Sequence, residues 1–343
     1  MSIDEPLLTL DIIGADGDVE IGNCVLRQNK TNIVGRGSID YILGLRNEIL
    51  SNRGYKVPEN WDLKWNYQQG PIWSPDEIGS LLETWCLPEY FRPETDEDPE
   101  KCIEATNRVD GTVGFEQQNI ANMPLMTQDA ASGRNYKRLE FDGANTSMRG
   151  GTTAMWSVGT QDFILAVFVI PSDSNDTVEP IATKKSDSQF SLYTDFSGSN
   201  EDVVFYMNDV DLTYALPEWT ADSKMVIVCG REDGKPFLRV DGKLSLTSVS
   251  EDTTNLDSIY KPWLGDKMLN TAEFKGKIYE VIFVANDGVV ADAVSPDLCE
   301  KLEGYLAWKY RTEDQLSSNT VDAHPYKNSP PRVRGFKDGE WNE

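Results

Sequence analysis

The chain has few basic residues, one histidine and no long apolar run. Its 343 residues include 32 Lys and Arg against 57 Asp and Glu, which gives a formal net charge of −25. Nucleic acids and anionic membranes repel such a surface, so we expect neither as a partner. No apolar run approaches the ~20 residues of a membrane span, and the opening MSIDEPLLTL has no basic region followed by an apolar one. We therefore expect neither a membrane segment nor a signal peptide.

Metal-binding and disulfide patterns are also missing. The five cysteines are widely spaced and never form CxxC, which is typical of reduced thiols made in a cytoplasm. Cys229 and Cys299 stand at apolar positions, where cysteine acts as a small buried hydrophobe. The single histidine, His324, excludes a multi-histidine metal site, and neither a phosphate loop nor a dinucleotide fingerprint occurs. We expect no cofactor, apart from the calcium alternative given below.

The chain is instead rich in strand patterns. Residues 162–170 (DFILAVFVI) form a near-continuous apolar run, which is typical of a strand buried on both faces. Asp241-Gly242 is the strongest hairpin signal in the sequence. Strands separated by short polar turns predict two sheets packed face to face. Beyond the apolar run, the predicted strands are 190–196, 203–207, 224–230, 236–240, 243–249 and 274–285.

One helix is predicted in the C-terminal part of the chain. Ser295 suits an N-cap and Pro296 the first helical position, and apolar residues recur at helical spacing from Leu298 to Trp308. We expect this helix to seal the edge of a sheet. At the other end of the chain, residues 1 to about 70 differ in character and predict two strands followed by a helix over 38–52.

Several segments stand in an order that carries a family resemblance. They are KRLEFDGANTSM (137–148), DFILAVFVI (162–170), GKPFLRVDGK (234–243), FKGKIYEVIFVAND (274–287), LEGYLAWKY (302–310), His324-Pro325-Tyr326 and Pro330-Pro331. Over residues 75–334 this order resembles the concanavalin A-like, laminin G-type jelly roll found in bacteriophage virion proteins and some bacterial surface proteins. The chain departs from that family at Tyr310-Arg311-Thr312, where a Trp-Gly-Leu continuation is usual, and residues 1–74 have no counterpart in the jelly roll.

The resemblance implies a fold and a division of the chain. The fold class is mainly β: a two-sheet antiparallel jelly-roll sandwich, concanavalin A-like, with a short C-terminal helix and a small α+β N-terminal segment. The expected domains are an N-terminal docking segment at 1–74, the jelly roll at 75–334 and a tail at 335–343. The residues expected to close the fold are Phe141, Asp142, Gly143, Tyr305, Trp308, His324 and Tyr326.

An enzyme has to be considered because glycosidases share this sandwich. A retaining glycosidase uses two carboxylates ~5 Å apart, and in this fold they lie on one strand in a Glu-x-Asp-x-x-Glu pattern. No strand here carries that pattern, and Glu280 stands isolated in KIYEVIF. His324 lies among turns without a nucleophile elbow, so we interpret it as bonding a backbone group where the chain leaves the core. We expect no enzymatic activity, with a diverged glycosidase as the alternative.

Binding of sugars is the other activity that the resemblance implies. Lectin-like jelly rolls bind glycans through loops that combine Asp, Asn and aromatic side chains, sometimes around calcium. Asp and Asn are also the commonest turn formers, so ordinary turns stay an open alternative at these positions. The carbohydrate candidates are Trp156, Trp219, Trp263, Asp195 and Asn208, and the calcium candidates are Asp173, Asn175 and Asp176.

The expected role is that of a non-enzymatic structural protein of a bacteriophage virion. We expect a capsid decoration or cement protein at the virion surface, made in the host cytoplasm and attached through residues 1–74 to the major capsid protein or other virion proteins. Assembly as a homo-oligomer and binding to host-surface glycans are both compatible with this role. The alternative is a carbohydrate-binding adhesin of the tail fibre or baseplate, although the repeat of a long fibre shaft is missing.

Overall fold

The computed structural model describes most of the chain between residues 73 and 331. Outside that range it describes the strands at 8–12, 24–28, 32–37, 336–337 and 340–341. Within it, the segments not described are 95–99, 130–135, 173–177, 185–188, 197–200, 217–222, 245–250, 253, 258, 267–272, 286–293, 318–322 and 329. The chain divides into two compact units, Met1–Trp73 with Pro331–Glu343, and Ser74–Pro330.

Most of the regular structure among the described residues is β-strand. In chain order they are β1 (Leu8–Ile12), β2 (Cys24–Gln28), β3 (Asn32–Gly37), β4 (Leu82–Cys86), β5 (Phe91–Pro93), β6 (Cys102–Thr106), β7 (Val113–Glu116), β8 (Leu125–Asp129), β9 (Tyr136–Asp142), β10 (Met148–Gly150), β11 (Phe163–Pro171), β12 (Val178–Lys184), β13 (Phe190–Asp195), β14 (Asp202–Met207), β15 (Val210–Ala215), β16 (Met225–Glu232), β17 (Lys235–Val240), β18 (Lys243–Leu244), β19 (Trp263–Leu264), β20 (Lys275–Ala285), β21 (Phe336–Lys337) and β22 (Glu340–Trp341). The described residues hold one α-helix, α1 (Pro296–Tyr310), and short 3-10 helices at Pro75–Leu81, Pro88–Tyr90 and Ile120–Asn122. No helix among them is long and apolar enough to cross a membrane.

The described residues of the first unit form two small antiparallel sheets. One has the order β1-β2-β3 and the other pairs β21 with β22. Two of these strands, β1 and β2, lie where the sequence predicts strands. The helix predicted over 38–52 lies outside the described residues.

The second unit is a sandwich of two antiparallel sheets. The nine-stranded sheet has the order β15-β14-β13-β12-β19-β10-β7-β6-β5. The eight-stranded sheet has the order β18-β17-β16-β11-β20-β9-β8, and β4 also pairs with β20. The predicted fold class, mainly β with two antiparallel sheets and a short C-terminal helix, is confirmed.

An aromatic cluster fills the space between the two sheets. Every residue of β11 is buried, as its continuous apolar run predicts. From this strand Phe163 contacts Phe190 of the opposite sheet at a ring distance of 4.9 Å and Phe283 of its own sheet at 5.5 Å. Side chains from both sheets therefore share one core.

Tight turns join the neighbouring strands. Asp241 and Gly242 have φ of 50° and 72°, the left-handed values that a two-residue type I′ hairpin requires. They connect β17 to β18 as predicted. Asn208-Asp209 joins β14 to β15 with the same positive φ values, 43° and 67°. Short Asp, Asn and Gly turns thus set the register of the edge hairpins.

The helix α1 lies against the eight-stranded sheet. Ser295 caps it by accepting a hydrogen bond from Leu298 N at 3.3 Å, and Arg311 ends it in the left-handed conformation. Tyr310 stacks on Phe168 of β11 with ring centroids 4.2 Å apart. The following segment folds back over the helix, where Trp308 Nε1 donates to the carbonyl oxygen of Tyr326 at 2.7 Å. The terminal motif closes the sheet by packing.

The FDG turn fixes the entry to β10. Phe141 is buried, and Asp142 Oδ1 accepts hydrogen bonds from the backbone N–H groups of Ala144, Asn145 and Thr146. Gly143 has φ of 75° and approaches Lys275 closely, since an added Cβ would lie 2.8 Å from Lys275 Cβ. The turn therefore needs glycine for both its conformation and its space.

Candidate functional site

Trp263 lies on the outer face of the nine-stranded sheet. Its neighbour Leu264 is 1% exposed in the core between the sheets. Because successive residues of a strand point to opposite faces, Trp263 points away from that core. It is half-buried and lies opposite Arg149 of β10 and Thr183 of β12.

Strand pairing places one residue of every strand of this sheet in a single line across the outer face. We call this line the cross-strand row. Each neighbour in it is a register partner of the next. In sheet order, its members are Arg92, Glu104, Glu116, Arg149, Trp263, Thr183, Ser191, Tyr206 and Asp211.

The row is open on one side of Trp263 and covered on the other. Thr183 is fully buried, Ser191 is 6% exposed, and Thr183 Oγ1 donates to the carbonyl oxygen of Asp266 at 2.9 Å. The segment through Asp266 thus lies over the row at this point. Towards the other edge, Arg149 and Arg92 are exposed. We call the stretch from Arg92 to Trp263 the open part of the row.

Most charges in the open part are paired. Arg92 Nη2 donates to Glu104 Oε2 at 2.5 Å, and Lys261 Nζ lies 3.4 Å from Glu116 Oε1. Arg149 makes no hydrogen bond or ion pair with the described residues. Its guanidinium carbon lies 5.7 Å from the centroid of the Trp263 ring, within the range of a cation–π contact.

This arrangement offers groups that can bind a ligand. Trp263 offers an aromatic surface, and the charged side chains around it offer hydrogen-bond donors and acceptors on a rigid sheet. Glu104 and Glu116 are direct cross-strand partners, the only carboxylates in the open part. Each is bound by its own cation.

Trp156 does not belong to this site. The sequence predicted it as a sugar platform, but it is 0% exposed and packs against both Phe190 and Phe283, with ring centroids 5.9 and 5.1 Å away. Its backbone N–H donates to Glu83 Oε1, which holds the residue inward. The prediction for Trp156 is wrong because the ring fills the core and has no face left for a ligand.

The remaining sugar and calcium candidates are dispersed. Asp195 lies on the same outer face as Trp263, but β12 and four residues of β13 separate them, roughly 16 Å by ideal sheet spacing. Asn208 donates through Nδ2 to Thr254 Oγ1 at 2.7 Å and forms the β14–β15 turn. Trp219, Asp173, Asn175 and Asp176 lie outside the described residues. Among the residues that the structure describes, there is no group of three or more His, Cys, Asp or Glu side chains able to hold a metal ion.

Glu280 is isolated along its strand but not in space. It is wholly buried beneath α1 and accepts hydrogen bonds from Trp85 Nε1 at 2.6 Å, from the Tyr305 and Tyr310 hydroxyls at 3.1 and 2.7 Å, and from Lys309 Nζ at 2.8 Å. Burial alone would lower the pKa of Lys309, yet the adjacent Glu280 raises it above its ordinary value. Four donors surround this buried carboxylate and link β4, β20 and α1. They occupy its hydrogen-bond acceptor positions, so none is left for a ligand.

His324 also has a packing role. Its Nδ1 accepts a hydrogen bond from Tyr326 N at 3.2 Å, the backbone bond that the sequence predicted. Its Nε2 lies 3.0 Å from Glu303 Oε2, a partner that the sequence did not reveal. Arg239 Nε donates to the other oxygen of Glu303 at 2.7 Å. The histidine therefore joins the returning tail to the helix and to β17.

The sequence predicted Trp263 as a candidate, but it did not predict its neighbours Arg149, Glu104 and Glu116. These residues lie on short strands that come together only through pairing between distant parts of the chain. The available signal was the polar-apolar alternation of GFEQ and SMRG at the ends of β7 and β10. It identifies an outward residue without identifying its neighbour.

Comparison with known proteins finds no family for the chain and distant likenesses among solved structures. No family model matches the chain, and no curated protein sequence is similar enough to count as a relative. Among solved structures, a Trypanosoma rangeli sialidase in complex with the inhibitor DANA is 11% identical, with a TM-score of 0.39 over 76% of this chain and 40% of that one. The binding domain of Paraclostridial Mosquitocidal Protein 1 is 10% identical, with a TM-score of 0.46 over 67% and 53%.

The similarity to a third structure extends over almost all of that structure. Domain 4 of the extracellular arabinanase from Geobacillus stearothermophilus, in complex with arabinotriose, is 13% identical, with a TM-score of 0.39 over 65% of this chain and 98% of that one. This chain spans less than half of the sialidase and about half of the mosquitocidal binding domain. Likenesses at these values carry no information about what this chain binds.

Proposed function

We propose that this chain is a non-enzymatic carbohydrate-binding protein and that the open part of the cross-strand row contacts the glycan. The observation that carries the proposal is the position of Trp263, half-buried on an outward sheet face beside an exposed arginine. A sugar ring stacks its C–H face on such an indole, and its hydroxyls find donors and acceptors on the neighbouring charged side chains.

The test is a glycan array probed with the full chain and with Trp263→Ala. We expect the variant to bind its glycans at least about tenfold more weakly, because aromatic stacking and the area buried with it contribute more than ~1.4 kcal/mol. Tyr90→Ala is a matched control, since Tyr90 is an exposed aromatic residue outside the row. Equal binding by the Trp263 variant would place the site elsewhere.

The non-enzymatic part of the proposal has its own assay. The paired carboxylates Glu104 and Glu116 are each held by a cation, so we expect no reducing-sugar release from the glycans that bind. Release that disappears in Glu116→Gln would overturn this part and support the diverged glycosidase instead. Calcium at residues 173–176 stays a prediction, and binding that vanishes on chelation would support it.

The setting that we propose is the surface of a bacteriophage particle. It is supported by the resemblance of residues 75–334 to jelly rolls of virion proteins. In this setting the chain is a capsid decoration protein, residues 1–74 attach it, and the jelly roll faces outward. Negative-stain images of particles that lack the protein should show altered head surfaces. Altered tails with unchanged heads would favour the adhesin of the tail fibre or baseplate.

A further inference from the structure

The charges of the open part of the row do not balance. Its side chains and Lys261 supply three cations and two carboxylates, one net positive charge on a chain of net charge −25. Arg92 and Lys261 are used by Glu104 and Glu116. Thr106 Oγ1 also donates to Glu104 Oε1, at 2.8 Å, so both oxygens of the Glu104 carboxylate accept a hydrogen bond. Arg149 is the cation left over.

Arg149 is placed where it could meet a ligand on Trp263. It lies directly opposite both Trp263 and Glu116 in register, yet no ion pair joins it to Glu116. Instead its guanidinium lies near the indole ring and the side chain is exposed. Its five N–H donors therefore face solvent next to the aromatic surface, the geometry that binds a planar carboxylate.

Long-range repulsion does not oppose an anionic ligand at this point. Charges farther than ~8–10 Å are largely screened at physiological ionic strength, so the local cations outweigh the acidic residues of distant surfaces. With a neutral sugar bound, the N–H donors of Arg149 would hydrogen-bond only to weakly bound water. A sugar that carries a carboxylate would pair with them while its ring lies on Trp263.

Resting on the proposed function, we infer that the glycan is acidic: a uronic or sialic acid whose carboxylate pairs with Arg149 while its ring stacks on Trp263. Arg149 then selects for charge, and Trp263 supplies affinity for any ring. The two roles are separable by substitution because both side chains are partly exposed and neither fills the core.

The experiment uses acidic glycans and their neutral counterparts: oligogalacturonate with its carboxyl-reduced form, and sialyllactose with lactose. Binding of each to the full chain, to Arg149→Gln and to Trp263→Ala is measured by calorimetry at low and physiological salt. We expect the chain to prefer the acidic member of at least one pair by about 10- to 100-fold, since hydrogen bonds between charged groups contribute ~1.5–3 kcal/mol. Arg149→Gln should abolish this preference and its salt dependence while retaining neutral binding.

Arg108→Gln is the matched control, a partly exposed arginine outside the row that Asp76 already holds. It should keep the preference for the acidic member. Equal affinity of the full chain for both members of each pair, or a preference that survives Arg149→Gln, would overturn the inference and leave the proposed function standing. Absence of binding to any glycan would remove the proposed function and this inference with it.

Discussion

Glu273 is a carboxyl group whose surroundings disfavour its charged form. It forms a bridge pair with Asp266, and its Oε2 is buried without a hydrogen-bond partner in the part of the chain that the structure describes. Burial, and then the nearby carboxylates of Asp266 and Asp142, raise the pKa of Glu273 to about 7. The folded state therefore holds a proton that the unfolded state has lost above its ordinary pKa of 4.5.

The first prediction follows from the sign of that shift. A carboxyl with a raised pKa stabilises the fold fully only below its unfolded pKa, and the contribution is lost as pH rises from 4.5 towards 7. Glu273→Gln should therefore stabilise the protein at pH 8 by about 1 kcal/mol, allowing for solvent screening of a partly exposed group, and change little at pH 4. Urea unfolding at both pH values measures this. The exposed Glu251→Gln is the control, and an equal effect at the two pH values would contradict the prediction.

Trp156 illustrates how a residue can oppose its local preference. Its φ of 61° lies in the left-handed region, which costs a residue with a side chain ~1–2 kcal/mol. Stacking on Phe283 at 5.1 Å and full burial outweigh that cost. Neither the conformation nor the burial is visible in the sequence TTAMWSVG, which reads as an exposed turn.

At the scale of elements, α1 contains a glycine in contact with the returning tail. A Cβ added at Gly304 would lie 2.7 Å from Tyr326 Cβ, closer than real Cβ contacts occur. Glycine is otherwise a poor helix former, less favourable than alanine by ~1 kcal/mol. Close approach of the tail explains its presence in the middle of the helix.

The second prediction is that Gly304→Ala lowers stability although alanine favours helices. We expect a loss of about 1–3 kcal/mol, the usual cost of forcing an extra carbon into a packed contact, measured by thermal unfolding. The matched comparison is the same substitution in a Tyr326→Gly background, where the contacting atoms are gone. There Gly304→Ala should stabilise the protein, and a loss of the same size in both backgrounds would show that the tail is not the cause.

The long elements were predictable and the short ones were not. β11 carries a near-continuous apolar run over nine residues and α1 an apolar pattern at helical spacing over fifteen, enough to show a strand and a helix without any partner. β10 and β19 have three and two residues, and only pairing with each other and with their neighbours defines them. β12 escaped prediction for a different reason, because Pro180 argues against a strand and is accommodated by a bulge.

The candidate site was only partly predictable for the same reason. Trp263 was predicted as an aromatic residue that could stack on a sugar ring. Its partner Arg149 is brought beside it by the register of two very short strands. Side chains chosen by residue type alone, Asn208 and Trp156 among them, went instead to a turn and to the core. Composition indicates what could bind, while register decides which residues meet.

At the scale of the molecule, the two units divide the chain differently from the predicted domains. The C-terminal stretch Pro331–Glu343 groups with Met1–Trp73, and backbone N–H of Trp73 donates to the carbonyl oxygen of Pro331 at 2.9 Å. The sandwich unit spans Ser74–Pro330, between these two residues. A deletion that removes Met1–Trp73 alone would leave Pro331–Glu343 without the residues with which it forms one unit.

The third prediction is that residues 74–330 fold independently. This unit has its own core and its own helix, so the fragment should unfold cooperatively on heating and keep an ordered near-ultraviolet circular dichroism signal. It should bind the same glycans as the full chain but no longer attach to particles. A fragment that still decorates particles would contradict the assignment of attachment to residues 1–74.

Burial of the described cysteines makes their alkylation a measure of local opening. The thiols of Cys86, Cys102, Cys229 and Cys299 are all free and buried, and burial raises the pKa of each above its ordinary value, that of Cys102 to about 12. Because only a thiolate that reaches solvent reacts with an alkylating reagent, these positions are silent while the sandwich is closed. The rate of alkylation of each thiol therefore measures how often the strand or helix that carries it opens to solvent, without any engineered probe.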